Sequence, residues 1–348
     1  MPGPSTNHSL PRVSQRGAAL MLLLLLVGVG ALAVFVTGLN SATQQQERDR
    51  ITAAALAQAK EALIGYALKR QDPERPGDMP CPDNPSDGDY DGTQDSPCGN
   101  DSPSPRLGRL PWRSADVGGV PVDGLNADLV DGFGERLWYA VSRNLVDAVG
   151  VAELNPGIIS VAPRPWITVH GASGQVISNR VALVVLSAGL ALGGQNRTGM
   201  TPNVAQFLDQ ATIGAIPYNN NDANDCLDGT TCPTVASRTG EDFIMNVTSP
   251  TFNDRLIYLT IDELMVAVER RVAGEISSRL PHPYPDTLAS VPSSSWPSWF
   301  NDNNWLASIT YVKVSDDKVT VSFLGCSGRV FSMDWISGYS VMKWVGNC

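Results

Sequence analysis

The chain has 348 residues, with 35 Asp or Glu against 25 Lys or Arg and a formal charge of -10. That length leaves room for about two domains beyond an anchor, and Gly 32 with Pro 25 points to many turns rather than to disorder. An acidic chain without a Lys/Arg cluster has nothing with which to release counterions from a phosphate backbone, which excludes nucleic acid as a partner.

Arg12 and Arg16 precede an apolar run, Ala18 to Leu39, that carries no charge. As a helix rising about 1.5 Å per residue, the run reaches the roughly 30 Å of a hydrocarbon core, whereas a secretory h-region has only about 7 to 15 residues. The other flank, NSATQQQERDR, nearly balances its charges. The positive-inside rule therefore predicts one span with Met1 in the cytoplasm and the bulk of the chain exported. Periodicity continues beyond the run, because Ile51, Ala54, Ala55, Leu56, Ala59, Ala62, Leu63 and Tyr66 form a broad apolar stripe with no proline between Arg16 and Pro73. Anchor and stripe together predict one helix of roughly 50 residues, about 75 Å long.

A short basic leader ending in Gly17, a small residue at Ala18, an apolar helix and its amphipathic extension resemble the N-terminus of a type IV pilin or type II secretion pseudopilin. The resemblance covers Arg12 to about Lys69. It implies cleavage between Gly17 and Ala18 by a prepilin peptidase, methylation of the new N-terminus, and packing against the helices of other pilin or pseudopilin subunits. Most of the family carries Glu at the fifth position after the cut, where this chain has Leu22. Leucine removes a charge costing on the order of 2.5 to 3.5 kcal/mol in a membrane, and with it the docking partner for another subunit's amine. Members without this Glu include the K-type pseudopilin at the filament tip and the X-type minor pilins, so the resemblance implies a minor component or initiator.

After Arg70 a proline-rich stretch contains Cys81 and Cys98, which a disulfide would close into an ordered loop. Within it Asp87, Asp89 and Asp91 followed by Gly92 match the first half of an EF-hand loop, and Asp95 falls at the ninth position. The twelfth is Cys98, where a bidentate Glu is normally needed, with Asp83, Asn100 and Asp101 nearby as further oxygens. These residues make the loop a candidate Ca2+ site, and calcium sites are known among the pseudopilins that the chain resembles. A polar turn held by its disulfide explains the same residues. The other cysteines also fall in local pairs, Cys226 with Cys232 and Cys326 with Cys348. Three disulfides are expected in an oxidising compartment, local pairing being favoured among the fifteen connectivities that six cysteines allow.

The segment LVDGFGERLWYAVSRNLVDA reads as a short helix or a strand-to-helix passage, and Val181 to Leu186 as a buried strand. ASGQ, between Gly171 and Val176, is a hairpin-turn candidate. YLTIDELMVAVERRVAGEISSRL predicts a helix with Thr260 and Glu263 as a capping box and Leu264, Val268, Val272 and Ile276 on one face; Arg270, Arg271 and Glu275 read as its solvated face. From Ser308 onward alternating segments predict strands.

His8 lies in the predicted leader, leaving His170 and His282 far apart, and no G-x-S-x-G, H-E-x-x-H or P-loop pattern occurs. A non-enzymatic role is expected. Trp296, Trp299, Phe300 and Trp305, interleaved with Asn and Asp, are the basis of an alternative, an envelope-anchored adhesin or glycan-binding module. The expectation is an α+β protein with a leader (1–17), a long transmembrane and amphipathic helix (18–70), and an exported head of antiparallel sheet and short helices (71–290) followed by a C-terminal β region (291–348). It is placed in the inner membrane as a single-pass protein with its head in the periplasm, serving as a minor subunit or initiator of a type II secretion pseudopilus or type IV pilus.

Overall fold

The computed structural model describes residues 16–70, 74–84, 90–95, 98, 106–117, 120–122, 124–146, 153–162, 165–198, 203–221, 242–247 and 249–346. In chain order the elements are α1 (Arg16–Lys69), β1 (Leu107–Arg109), β2 (Ala115–Val117), β3 (Val120–Val122), β4 (Trp138–Val141), α2 (Ile158–Val161), β5 (Ile167–His170) and β6 (Val176–Ser187). They continue with β7 (Gln210–Ile213), β8 (Ile216–Asn219), β9 (Asp242–Ile244), β10 (Arg255–Thr260), α3 (Ile261–Arg279), α4 (Ser298–Asp302), β11 (Ile309–Ser315), β12 (Lys318–Phe323), β13 (Cys326–Ile336) and β14 (Tyr339–Val345). The chain divides into two compact units, Met1–Arg50 and Ile51–Cys348, with the division falling inside α1.

The second unit is built around β6. It lies in a sheet of order β1-β4-β6-β5-β9, with β10 also paired to β6. Its pairings to β4, β5 and β10 are antiparallel, while β5 pairs with β9 in parallel. A strand with neighbours on both edges and apolar layers on both faces must be apolar throughout, which is why Val181 to Leu186 are all buried. Leu183 and Val185 face the layer that contains Ala59, Leu63 and Ala67 of α1 and Leu264, Val268 and Val272 of α3. Val184 and Leu186 belong to a second cluster with Trp138, Phe207 and Phe243. Gly171 and Gly174 close the turn between β5 and β6, Gly171 donating to the Gln175 carbonyl at 2.8 Å, and Gly174 takes the positive φ (+79°) that this turn requires.

α3 starts at a capping box: the Thr260 hydroxyl accepts from the Glu263 amide, and the Glu263 carboxylate accepts from the Thr260 amide at 3.1 Å. The C-terminal sheet runs β11-β12-β13-β14, antiparallel throughout. Its inner face, Val319, Val321, Phe323, Phe331 and Met333, is continuous with the main core.

The sequence-based fold class and placement are corrected here. Among the described residues no helix is long and apolar enough to cross a membrane. By Gln44 to Arg50 the helix is polar, with Glu47 paired to Arg50 at 2.6 Å. The expected α+β protein hung from a long transmembrane helix, and its single-pass inner-membrane placement with a periplasmic head, give way to a mixed α/β unit around a curled sheet.

Candidate functional site

Gly17 and Ala18 of the expected processing site fall in the first turn of α1. A few residues on, Leu22 to Leu26 each expose at least 61 % of their surface, as do Met21 and Val27, and Val29 exposes 58 %. Successive residues of a helix point about 100° apart, so a run of exposed leucines presents apolar surface in every direction rather than along one stripe. In the second unit the stripe of α1 behaves differently: Ala55, Leu56, Ala59, Leu63, Tyr66 and Ala67 are buried. Ile51, also assigned to that stripe, is exposed.

Of the expected calcium ligands, Asp87 and Asp89 lie outside the described residues, and Asp91 and Asp95 are engaged by their own loop. Asp91 Oδ1 accepts from the Thr93 amide at 2.7 Å and hydroxyl at 2.6 Å, and Asp95 Oδ2 accepts from the Asn84 amide at 2.6 Å. Asp83, one of the further oxygens considered, accepts from the Gly92 amide at 2.8 Å. Burial raises the Asp91 carboxyl, but the Thr93 hydrogen bonds and the Arg113 charge outweigh it, and the net shift is downward. Gly92 sits at φ +91°, and a Cβ there would strike the Trp112 ring at 2.3 Å, so the glycine is required by the turn itself. Among the described residues no group of three His, Cys, Asp or Glu is arranged to hold a metal.

Cys81 and Cys98 are bonded, with Cα atoms 5.6 Å apart. Cys326 lies in β13, while its expected partner Cys348, and Cys226 and Cys232, lie outside the described residues. The disulfide loop leans on β1, where Asp83 and Arg109 form an antiparallel bridge. The Arg109 guanidinium lies 4.3 Å from the Trp138 ring centre and 4.4 Å from that of Phe207, with Glu135 at 3.7 Å. Burial lowers Arg109 to about 10 despite that carboxylate, and burial raises the adjacent Tyr90 phenol to about 12 against the pull of Arg109.

The aromatic cluster is core. Trp296, Trp299, Phe300 and Trp305 expose 7, 2, 1 and 0 % of their surfaces, with Trp296 stacked on Phe300 and Trp305 set edge-on to Phe323. These four rings therefore present no stacking platform to a sugar. His170 is buried, its Nδ1 3.0 Å from the Gly174 carbonyl and its Nε2 3.5 Å from Asp242. His282 stacks on Trp335 and reaches Asp317 at 2.7 Å.

A cleft of about 540 Å³ beside α3 has Ile159, Met265 and Leu324 among its lining, together with the pairs Arg180–Asp262 and Glu269–Arg329. Sequence reasoning missed Glu269. The signal was present: Glu269 follows Met265 by four residues and precedes Ile276 by seven, on the apolar face, where an acid needs a buried partner. Burial raises its carboxyl while Arg329 pulls it down, and the net shift is upward.

Compared with known proteins, the chain matches no protein-family model, no curated protein and no solved structure.

Proposed function

We propose that this chain is a minor subunit or initiator of a pilin-like filament, a type II secretion pseudopilus or type IV pilus, with a structural rather than a catalytic role. The observation that carries the reading is the helix surface from Met21 to Val29, apolar in all directions and exposed. An apolar surface of that kind marks an association site, and the cover we assign to it is the corresponding helices of other pilin-like subunits. The buried stripe of the same helix, Ala55 to Ala67, supports the reading, because it makes α1 part of the head's own core. Gly17 and Ala18 are the proposed prepilin peptidase junction. Leu22, in place of an acid, fits a subunit that does not receive another subunit's amine.

A photo-reactive side chain introduced at Leu24 tests the contact. The expected adducts are proteins whose precursors carry a basic leader and a junction glycine before an apolar helix. Adducts to lipid alone, or none, would contradict the proposal.

A further inference from the structure

Asp209, just before β7, and Asp254, just before β10, expose only 4 and 5 % of their surfaces, and their carboxyls interact directly. Asp254 Oδ2 accepts from the Asp209 amide at 2.8 Å and from Asn220 Nδ2 at 3.1 Å. Asp209 Oδ2 accepts from the Asn253 amide at 2.7 Å, and Oδ1 accepts from Gln195 Nε2 at 2.9 Å. The remaining oxygen, Asp254 Oδ1, is buried with no hydrogen-bond partner among the described residues. Among the described residues the charged groups facing the pair are each other and Arg197, from the loop after β6. Arg197 gives its Nε, Nη1 and Nη2 donors to carbonyls of that loop and of Gln206 and Phe207, and lies 3.8 Å from Glu135. Two buried carboxylates with no cation in contact among the described residues cannot both stay charged at acceptable cost, and an oxygen lacking a donor beside a second carboxylate is where a proton resolves the problem.

We propose that Asp209 and Asp254 share one proton in the folded protein, and that the pair is a pH-sensitive latch holding the β7–β8 hairpin to the main sheet. In the latched state one carboxyl of the pair carries the proton; raising the pH releases it to solvent and leaves two facing carboxylates. The latch reaches the sheet through Asn220, which follows β8: its amide donates to the Asp209 carbonyl at 3.0 Å, and its side chain brackets Ile244 of β9, donating at 3.0 Å and accepting at 2.9 Å. Repulsion between the carboxylates therefore acts on the joint between hairpin and sheet. Burial, with the Asp209 charge adding to it, pushes the Asp254 carboxyl well above its usual range, in agreement with the geometry.

The test is a carbon-13 NMR titration of the aspartate carboxyls in the full chain, with amide hydrogen exchange of the hairpin across the same pH range. One carboxyl of the pair should titrate well above the ordinary value of about 3.9. Above that midpoint the protection of the hairpin amides should fall by about tenfold or more beyond the intrinsic change in exchange chemistry, as a shift of one pK unit implies. Asp254→Asn, whose amide can donate where the proton did, should keep the hairpin protected throughout. Ordinary titration of both acids, unchanged protection across the midpoint, or the same loss in Asp254→Asn would overturn the proposal. If Asp254→Asn does not fold, Asp209→Asn supplies the variant arm, and the wild-type titration decides by itself.

Discussion

Glu269 of α3 and Arg329 of β13 form a buried ion pair that fastens the main layer to the C-terminal sheet, with side-chain exposures of 3 and 11 %. Removing one partner leaves the other charged in a dry site, which typically costs about 3 to 5 kcal/mol, whereas replacing both by apolar groups of similar volume is often neutral. Arg329→Met should therefore destabilise by that amount in chemical denaturation, and Glu269→Met combined with Arg329→Met should recover most of it. The Glu269 carboxyl is raised in the folded state, so its contribution is fully present below the unfolded value and is lost as pH rises through the folded one. Arg329→Met raises it further and should make the variant relatively more stable toward acid.

The Cys81–Cys98 bond spans 17 positions. Chain entropy for a loop of about 15 residues assigns roughly 3 kcal/mol to such a link, so Cys81→Ala with Cys98→Ala should lower the unfolding free energy by about that much. A loss well below 1 kcal/mol would mean that the bonds of Asp83, Asp91 and Asp95 order the loop unaided.

The capping box at the start of α3 predicts a loss of about 1 kcal/mol for Thr260→Ala. Burial raises the Glu263 carboxyl, but the Thr260 amide and Lys60 outweigh it and hold the group below its ordinary value. Its share of stability is therefore present above about pH 4.3 and lost as pH falls through the folded value. An acid titration of stability should show a smaller loss in Glu263→Gln. Because Glu263 is half exposed, Lys60→Ala should cost only about 0.5 kcal/mol.

Trp299→Ala empties a fully packed site and should destabilise by about 3 to 5 kcal/mol. Thermal unfolding of the variant checks this. An unchanged midpoint together with lost sugar binding would instead favour the aromatic platform that the burial of these rings argues against.

Local signals survived the passage from sequence to structure where they were self-contained. The alternation after Ser308 became β11 to β14, the Thr260–Glu263 box opened α3, and the apolar run Val181 to Leu186 became the central strand β6. Leu137 to Val141 was harder, because five residues buried in succession fit a helix or a strand equally, and only pairing with β6 decides for β4. The parallel pairing of β5 with β9 joins segments more than seventy residues apart, which no local pattern encodes. Glu269, Asp209 and Asp254 were hidden for a related reason: an acid's burial depends on what the fold brings over it. Among the aromatics, adjacency of Trp with Asn and Asp suggested a surface, yet the rings turn inward and Asn303 is buried with them. The apolar run of α1 was visible at once, but among the described residues no helix is long and apolar enough to cross a membrane.

Filament membership through α1 is tested by the N-terminal residue and mass of the protein from cells with and without an active prepilin peptidase. Filament membership predicts a chain beginning at Ala18, methylated, only where the peptidase is active. A chain that keeps Met1, or that is cut elsewhere regardless of the peptidase, would contradict it.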